Sequence, residues 1–392
     1  MARAFLPKGK KRRPGASRDE ERSHRGLVRW FAKPVKVSKP FGGSNPPLSA
    51  RNFFMPLSKR ENKILRSILV ASENDPRKPE FPPEHPKFPA TPTYKISVPG
   101  FSNVWLKDES LNQTGTHKDR MAWEMVVTYK QFLNAKKKGI INKLPSLSIL
   151  SSGSAALAIQ TKLKKYGLPD LRVLVDSKMQ PKILEALKAA GCKIFAVDLK
   201  KKVLGWQDIL ALTKNKKGFD ITSNEAYDPT VRFYDWLSYE IINSNADYVF
   251  VPFGTGQLYE NIMNVVKKEL GYKIRDPRFK GKLNSLRQCS FLGAATKDPK
   301  SKAEKLYAPF LPFVNYSKQW VNYYIYTGIT GKKSGVYYLQ EKYLDQAMEI
   351  AQANGVNCEY SGIAGLAIML QMKRELPRDK KMLIVSTGKT KY

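Results

Sequence analysis

Short apolar runs that alternate with helical patterns constrain the fold of this chain more than any other feature. Four such runs indicate buried strands of the kind found in parallel sheets: residues 147–150, 172–175, 193–197 and 248–251. Helical patterns separate them, over residues 155–166, 181–190, 231–242 and 258–270. This alternation predicts an α/β fold of parallel sheets with helices on both faces. In such folds ligands bind beyond the carboxyl ends of the strands.

At 392 residues the chain is long enough for two packed domains. We expect residues 135–230, which hold the first three strands, to form a smaller, mobile domain. Residues 91–134 plus 231–392 would then form the larger domain. Residues 51–90 are predicted to contain one amphipathic helix, over residues 59–70, and a proline-rich connector.

Basic residues give the chain a formal net charge of +34, and part of this excess lies near the N-terminus. Residues 1–39 contain 13 lysines and arginines but only three acidic residues. Residues 1–50 have too little apolar content to pack, so we predict a disordered basic tail that binds polyanions. The remaining excess is spread over the body of the chain, which is also typical of a general adaptation for solubility.

The sequence offers no signal for a membrane, a metal site or a disulfide framework. No apolar run approaches the ~20 residues that a membrane span needs, and the first residues contain no signal-peptide core. The three cysteines are widely spaced, without metal-ligand spacing, and only three histidines are present. We therefore expect a soluble, cytoplasmic protein.

Lys118 lies where a predicted strand gives way to a helix. Residues 104–106 are apolar, residues 112–115 are polar turn-formers, and residues 121–132 carry an apolar helical face. An amine at this position can reach a ligand in a cleft while the helix holds its backbone still. In a chain with 68 lysines and arginines, a single lysine is most often solvated. The flanking residues must therefore decide whether Lys118 is a solvated lysine or a lysine that contacts a ligand.

The run from Leu111 to Arg120, Leu-Asn-Gln-Thr-Gly-Thr-His-Lys-Asp-Arg, resembles the lysine segment of the threonine-synthase-like branch of pyridoxal-phosphate enzymes. That branch includes cysteine synthase, serine/threonine dehydratase and the β subunit of tryptophan synthase. The resemblance implies the two-domain fold of the tryptophan synthase β type, with pyridoxal 5'-phosphate bound by the larger domain. It also implies that Lys118 holds the cofactor as a Schiff base, that His117 contacts the cofactor and that Thr114 contacts the substrate.

A serine-rich loop, Ser151-Ser-Gly-Ser-Ala-Ala156, follows a predicted strand and opens a helix, whose start favours an anion. On the residues alone, an ordinary capped turn is an equally good interpretation. The loop resembles the family's Ser-Ser-Gly-Asn-Ala-Ala loop, which receives the substrate α-carboxylate. This implies substrate binding by Ser151, Ser152, Gly153, Ser154 and Ala155. Ser154 stands where the family has an asparagine that contacts the phenolic oxygen of the cofactor.

Further motifs complete the predicted cofactor site. Pro252-Phe-Gly-Thr-Gly-Gln-Leu258 follows a strand, opens a helix and resembles the family's Val-Pro-x-Gly-x-Gly phosphate loop. This implies phosphate binding by Gly254, Thr255, Gly256, Gln257 and Leu258. Residues 359–365 resemble the family's Glu-Pro-Ser-Gly-Ala-Ala helix start. Thr387, with Ser386 as second choice, matches the hydroxyl that the family places at the pyridine nitrogen. A neutral hydroxyl makes the ring a mild electron sink, which suits elimination and replacement more than transamination.

These resemblances predict a pyridoxal-phosphate-dependent lyase or synthase that acts on a small amino-acid substrate, and we expect a homodimer. The Lys-Asp-Arg and serine-loop signatures favour a threonine synthase of amino-acid biosynthesis, which would convert O-phosphohomoserine to threonine and phosphate. Serine/threonine dehydratase and cysteine synthase stay open. A different class is also open: a non-catalytic relative that binds nucleic acid or another polyanion, which the basic tail and Ser154 favour.

Overall fold

The computed structural model describes residues 90–199, 204–222, 233–271, 275–307, 331 and 333–392. The predicted disordered tail, the predicted helix at residues 59–70 and nearly all of the proline-rich connector lie outside these residues. No helix within the described ranges is long and apolar enough to cross a membrane. The strands within them are β1 Thr93–Val98, β2 Phe101–Asp108, β3 Leu147–Leu150, β4 Arg172–Asp176, β5 Lys193–Val197, β6 Phe219–Asp220, β7 Tyr248–Pro252, β8 Ser290–Ala295, β9 Gly335–Tyr338 and β10 Met382–Ser386.

Six strands form the larger sheet, in the order β1-β2-β10-β7-β8-β9. Neighbouring strands are parallel except β1, which is antiparallel to β2. Ser386 at the end of β10 pairs with Asp108 at the end of β2, and Ile384 of β10 pairs with Phe250 of β7. The carboxyl ends of these three strands therefore lie side by side. The segments that follow them emerge together at one edge of the sheet.

Four parallel strands form the smaller sheet, in the order β5-β4-β3-β6. All four lie within residues 147–220. They fall inside the predicted smaller domain, whose boundaries and mobility stay predictions. The serine-rich loop follows the carboxyl end of β3, as the position of ligand sites in parallel sheets requires.

The α-helices in the described ranges are α1 Lys118–Lys137, α2 Ser154–Lys165, α3 Pro181–Ala190, α4 Trp206–Leu212, α5 Asp235–Ile242, α6 Gln257–Gly271, α7 Leu283–Gln288, α8 Glu341–Ala353 and α9 Tyr360–Gln371. A 3₁₀ turn spans Glu304–Leu306. Helix α9 is apolar on all sides, and its residues 361–370 are buried. It packs against β7, β8 and β10 in the core of the larger sheet.

The predicted α/β class with parallel sheets is confirmed. The four predicted parallel strands are β3, β4, β5 and β7, and the strand predicted at residues 104–106 lies within β2. Three of the predicted helices are α2, α3 and α6. The fourth predicted helix, over residues 231–242, begins at Asp235 in the structure, and its first two residues lie outside the described ranges. The sequence patterns did not predict β1, β6, β8 or β9.

Candidate active site

Lys118 is the first residue of α1, at the end of the loop that follows β2. Its backbone N–H donates a hydrogen bond to Thr116 Oγ1 at 3.2 Å. The backbone N–H of His117 donates to the carbonyl oxygen of Thr387, also at 3.2 Å. The backbone at the lysine is therefore held both by its own loop and by the segment after β10.

Three glycines let the backbone segments around Lys118 approach closely. Thr116 and Gly388 form an isolated antiparallel bridge. A Cβ added to Gly388, whose φ is +86°, would lie 2.1 Å from the carbonyl oxygen of Gly115. A Cβ added to Gly362 would lie 2.3 Å from the carbonyl oxygen of Gly388. No side chain fits into either gap, so these contacts require glycine.

Arg120 is the centre of a buried ion-pair network two residues beyond Lys118. Its guanidinium donates to both carboxylate oxygens of Glu109, at 2.9 and 3.0 Å, and to both of Glu240 on α5, at 2.7 and 2.9 Å. Lys107 of β2 also pairs with Glu240. Burial alone would raise the pKa of Glu109, but the charge and hydrogen bonds of Arg120 hold that pKa below its usual value. The network ties the start of α1 to β2 and α5.

A cavity of about 140 Å³ brings together residues that are distant in the sequence. Nine of the ten predicted cofactor-binding residues line it: His117, Lys118, Ser154, Gly254, Thr255, Gly256, Gln257, Leu258 and Thr387. Ser386, the tenth, does not. Its side chain is buried in β10, and its hydroxyl has no hydrogen-bond partner in the part of the chain that the structure describes.

A second cavity, of about 520 Å³, shares Lys118 and Ser154 with the first. The serine-rich loop lines it with four of the predicted substrate-binding residues: Ser151, Ser152, Ser154 and Ala155. Gly153 lines neither cavity, and a Cβ there would lie 2.6 Å from Tyr392 Oη. Thr114 also lines neither cavity. Its hydroxyl and its N–H both donate to the carboxylate of Asp119, so these two groups are used within the loop and α1.

Tyr234 contacts the Lys118 amine, and no sequence motif pointed to it. Lys118 Nζ donates a hydrogen bond to Tyr234 Oη at 2.8 Å and lies 5.4 Å from the centroid of the ring. Burial lowers the pKa of Lys118 to about 8 and raises the pKa of Tyr234 far above its usual value. The phenol therefore stays protonated, while the amine loses its proton close to neutral pH.

His117 presents a buried Nδ1 that has no hydrogen-bond partner among the described residues. Burial, and then the charge of Lys118, lower the pKa of His117 well below its usual value, and the Thr387 carbonyl partly opposes this shift. The imidazole is therefore neutral at pH 7. A buried polar atom without a partner is costly, so a ligand group that completes this hydrogen bond would be favoured.

Lys305 and Glu359 also line the smaller cavity and form an ion pair with a distance of 2.5 Å between Nζ and Oε2. Lys305 comes from a stretch without a readable sequence pattern. Glu359 lies in the run at residues 359–365, whose likeness to a family motif was the available signal. Ser361, from the same run, lines the cavity as well.

A sequence model of the pyridoxal-phosphate dependent enzyme family matches residues 88–388. Cysteine synthase B of Escherichia coli strain K12 is 32% identical over 133 residues, which cover 33% of this chain and 41% of that protein. Cysteine synthase B of Salmonella typhimurium strain LT2 is 31% identical over the same length, again 33% of this chain and 41% of the relative. The match thus spans less than half the length of these curated relatives.

Two solved structures show the same fold. O-ureido-L-serine synthase gives a TM-score of 0.55 at 15% identity, over 76% of this chain and 89% of that one. The O-acetylserine dependent cystathionine beta-synthase of Helicobacter pylori gives a TM-score of 0.53 at 16% identity, over 76% of this chain and 92% of that one. At these identities the likeness concerns the fold.

Gly388→Ala should displace the loop that carries Lys118. The added Cβ would lie 2.1 Å from the Gly115 carbonyl oxygen, and the positive φ is unfavourable for alanine. We expect the free energy of unfolding to fall by about 2 kcal/mol or more in chemical denaturation, and bound pyridoxal phosphate to be largely lost. Gly355→Ala is the matched control, because Gly355 has a φ of +70° but open space around its Cβ. Equal cofactor retention in the two variants would contradict this role of Gly388.

Proposed function

The chain belongs to the family of pyridoxal-phosphate dependent enzymes, and from this membership we propose that it catalyses elimination or replacement at the side chain of an amino acid. The family match confirms the suspected membership in this family, and it confirms pyridoxal 5'-phosphate as the cofactor. The observation that carries the proposed activity is the convergence of Lys118, residues 254–258 and Thr387 on one cavity.

Residues 254–256, which line the cavity of about 140 Å³, fit a phosphate group. Gly254, Thr255 and Gly256 precede α6, a helix of 15 residues whose start favours an anion. A Cβ on Gly254 would lie 3.0 Å from the carbonyl oxygen of Lys305, so a side chain there would crowd the cradle. The unpartnered Nδ1 of His117 supplies one further polar atom. We assign phosphate binding to these residues.

Lys118 and Thr387 fit the reactive parts of the cofactor. When bound, pyridoxal phosphate withdraws electrons from the α-carbon of an attached amino acid and so makes the α-proton acidic. Lys118 would hold the cofactor aldehyde until the amino group of the substrate displaces it. The freed amine would then take this proton on Nζ, because a pKa of about 8 leaves it available as a base near neutral pH. Thr387 presents a neutral hydroxyl, which supports elimination or replacement over transamination.

The larger cavity supports a substrate site beside Lys118. The start of α2, which carries the serine-rich loop, favours the α-carboxylate. Lys178 and Lys305 line this cavity together with Asp176 and Glu304, and Lys305 is paired with Glu359. We therefore assign an anionic leaving group to Lys178. These features support our finer proposal, a threonine synthase-like reaction on O-phosphohomoserine. The likeness to cysteine synthase B keeps cysteine synthase as an alternative, beside serine/threonine dehydratase.

The non-catalytic alternative is weaker, because a polyanion-binding protein has no need of Lys118 and Thr387 at one cavity. Homodimer formation, a cytoplasmic location and polyanion binding by residues 1–50 stay proposals. The basic tail lies outside the described residues.

Lys118→Ala should abolish covalent cofactor linkage while the fold persists. Borohydride reduction of the wild-type protein should place one pyridoxyl label on Lys118, which mass spectrometry locates. The variant should carry no label, and its turnover should fall by about 10³-fold or more, since alanine provides no base. Lys162→Ala is the control, because Lys162 bonds Gln113 outside both cavities. A label on another lysine of the wild-type protein would show that the assignment is wrong.

The proposed reaction predicts that O-phosphohomoserine and water yield equal amounts of threonine and inorganic phosphate. A phosphate assay combined with amino-acid analysis measures both products, with Lys118→Ala as the blank. Release of a 2-oxo acid from serine or threonine would assign a dehydratase instead. Formation of cysteine from O-acetylserine and sulfide would assign a cysteine synthase.

Ser154→Asn should restore the amide that the family has at this position. Because Ser154 lines both cavities, we expect the longer side chain to reach the phenolic oxygen of the bound cofactor and to shift its visible absorption band. Thr161→Asn is the control on the same helix, since Thr161 lines neither cavity and its hydroxyl bonds the Leu157 carbonyl. An unchanged spectrum and unchanged rates in Ser154→Asn would mean that residue 154 points elsewhere in the loaded enzyme.

A further inference from the structure

Tyr234 is completely buried, and among the described residues its hydroxyl has two hydrogen-bond contacts. Its oxygen accepts a hydrogen bond from Lys118 Nζ at 2.8 Å. Its proton points to the Met121 sulfur at 3.8 Å, a weak acceptor. Because the hydroxyl donates its proton to the sulfur, the phenol oxygen acts as the hydrogen-bond acceptor for the amine.

The backbone of Tyr234 is fixed by the helix that follows the phosphate loop. Its N–H donates to Asn261 Oδ1 at 3.1 Å, and Asn261 lies on α6. The amide of Asn261 in turn donates to Asp235 at 2.9 Å and to Ser238 at 3.1 Å, both on α5. The ring also lies against His117, with 5.3 Å between the ring centroids. The hydroxyl is therefore held still relative to α6.

We propose that Tyr234 is a positioning residue for Lys118: its phenol oxygen holds one N–H of the amine, so that the nitrogen lone pair faces the cavity. The inference rests on the proposed role of Lys118. A neutral amine has two hydrogens and one lone pair in tetrahedral directions. Fixing one N–H restricts where the lone pair can point, and attack on an aldehyde or on an α-proton needs that direction.

The same contact affects the proton equilibrium of the amine. A neutral oxygen acceptor stabilises the ammonium form, which has more N–H groups to donate, and so opposes the desolvation that lowers the pKa of Lys118. Among the described residues, the other titratable side chains around Lys118 are His117, beside it in the chain, and those that line the two cavities with it: Asp176, Lys178, Glu304, Lys305, Tyr307 and Glu359. None of these forms a hydrogen bond to Lys118 Nζ in the described part of the chain.

The test compares Tyr234→Phe with Tyr259→Phe. Tyr259 is also buried, and its hydroxyl donates to the Phe291 carbonyl at 2.6 Å, outside both cavities. The rate at which the cofactor-free, full-length protein captures pyridoxal phosphate is followed by absorbance from pH 6 to 10. The neutral amine is the form that attacks the aldehyde, so the midpoint of this rate profile reports the pKa of the amine.

We expect the wild-type midpoint near pH 8, as the pKa of about 8 requires. In Tyr234→Phe the midpoint should fall by about one pH unit, the size expected for a lost hydrogen bond to a charged group. The limiting rate at high pH should fall several-fold, because the lone pair is no longer directed. Tyr259→Phe should match the wild-type protein in both quantities.

Mass spectrometry after borohydride reduction separates the two ways in which the inference can fail. A wild-type label on a lysine other than Lys118 removes the proposed role of Lys118 and this inference with it. A label on Lys118 with an unshifted midpoint in Tyr234→Phe, or with an equal shift in Tyr259→Phe, overturns the inference alone. If Tyr234→Phe does not fold, the midpoint of the same rate profile is measured in Met121→Leu instead. Without the sulfur, the phenol proton turns to the amine and favours its neutral form, so the midpoint should also fall, and an unchanged midpoint overturns the inference.

Discussion

The backbone contact between Gly115 and Gly388 holds together parts of the site that are far apart in the chain. Around it, the N–H of Glu109 donates to the Ser386 carbonyl at 3.0 Å, and the N–H of Lys389 donates to the Gly115 carbonyl at 2.9 Å. The N–H of Thr387 donates to the Gly362 carbonyl at 3.0 Å. These bonds join the lysine loop, the end of β10 and the start of α9. The position of Lys118 therefore depends on residues that follow it by about 270 positions.

The buried charged side chains near Lys118 form an ion-pair network that is separate from these backbone hydrogen bonds. Arg120 and Lys107 are almost completely buried, and buried cations are tolerable only when their partners are complete. Glu109 and Glu240 supply those partners. The network thereby anchors α1, and its positive and negative charges neutralise one another. Lys118, two residues before Arg120, instead donates a hydrogen bond to a neutral phenol oxygen. No negative charge at this oxygen opposes the loss of a proton from the amine.

Much of the fold and of the candidate cofactor site could be predicted from the sequence, because local patterns encode them. Strands β3, β4, β5 and β7 are apolar runs, and each loop assigned to the candidate site is a short motif at the end of a strand. Strand β8, Ser-Phe-Leu-Gly-Ala-Ala, is rich in small residues with low strand propensity, and β6 has only two residues. The local sequence pattern therefore could not indicate β6 or β8.

The site residues that were missed depend on tertiary packing. Tyr234 reaches Lys118 across 116 positions through the placement of α5, and no spacing rule encodes such a contact. The choice between Ser386 and Thr387 follows from the alternation of side chains in a strand. Ser386 is the last residue of β10 and points into the core, so Thr387 lines the cavity.

The choice of a tyrosine beside Lys118 has a chemical consequence. A carboxylate at 2.8 Å from the amine would raise the pKa of the lysine by its charge, and the amine would stay protonated throughout the physiological range. The buried phenol accepts a hydrogen bond from the amine without adding charge, because burial raises the pKa of Tyr234 far above its usual value. Burial then sets the pKa of Lys118 at about 8. The role proposed for Lys118, first as a nucleophile and then as a base, needs a fixed direction and an accessible lone pair, and a buried neutral oxygen acceptor is suited to provide both.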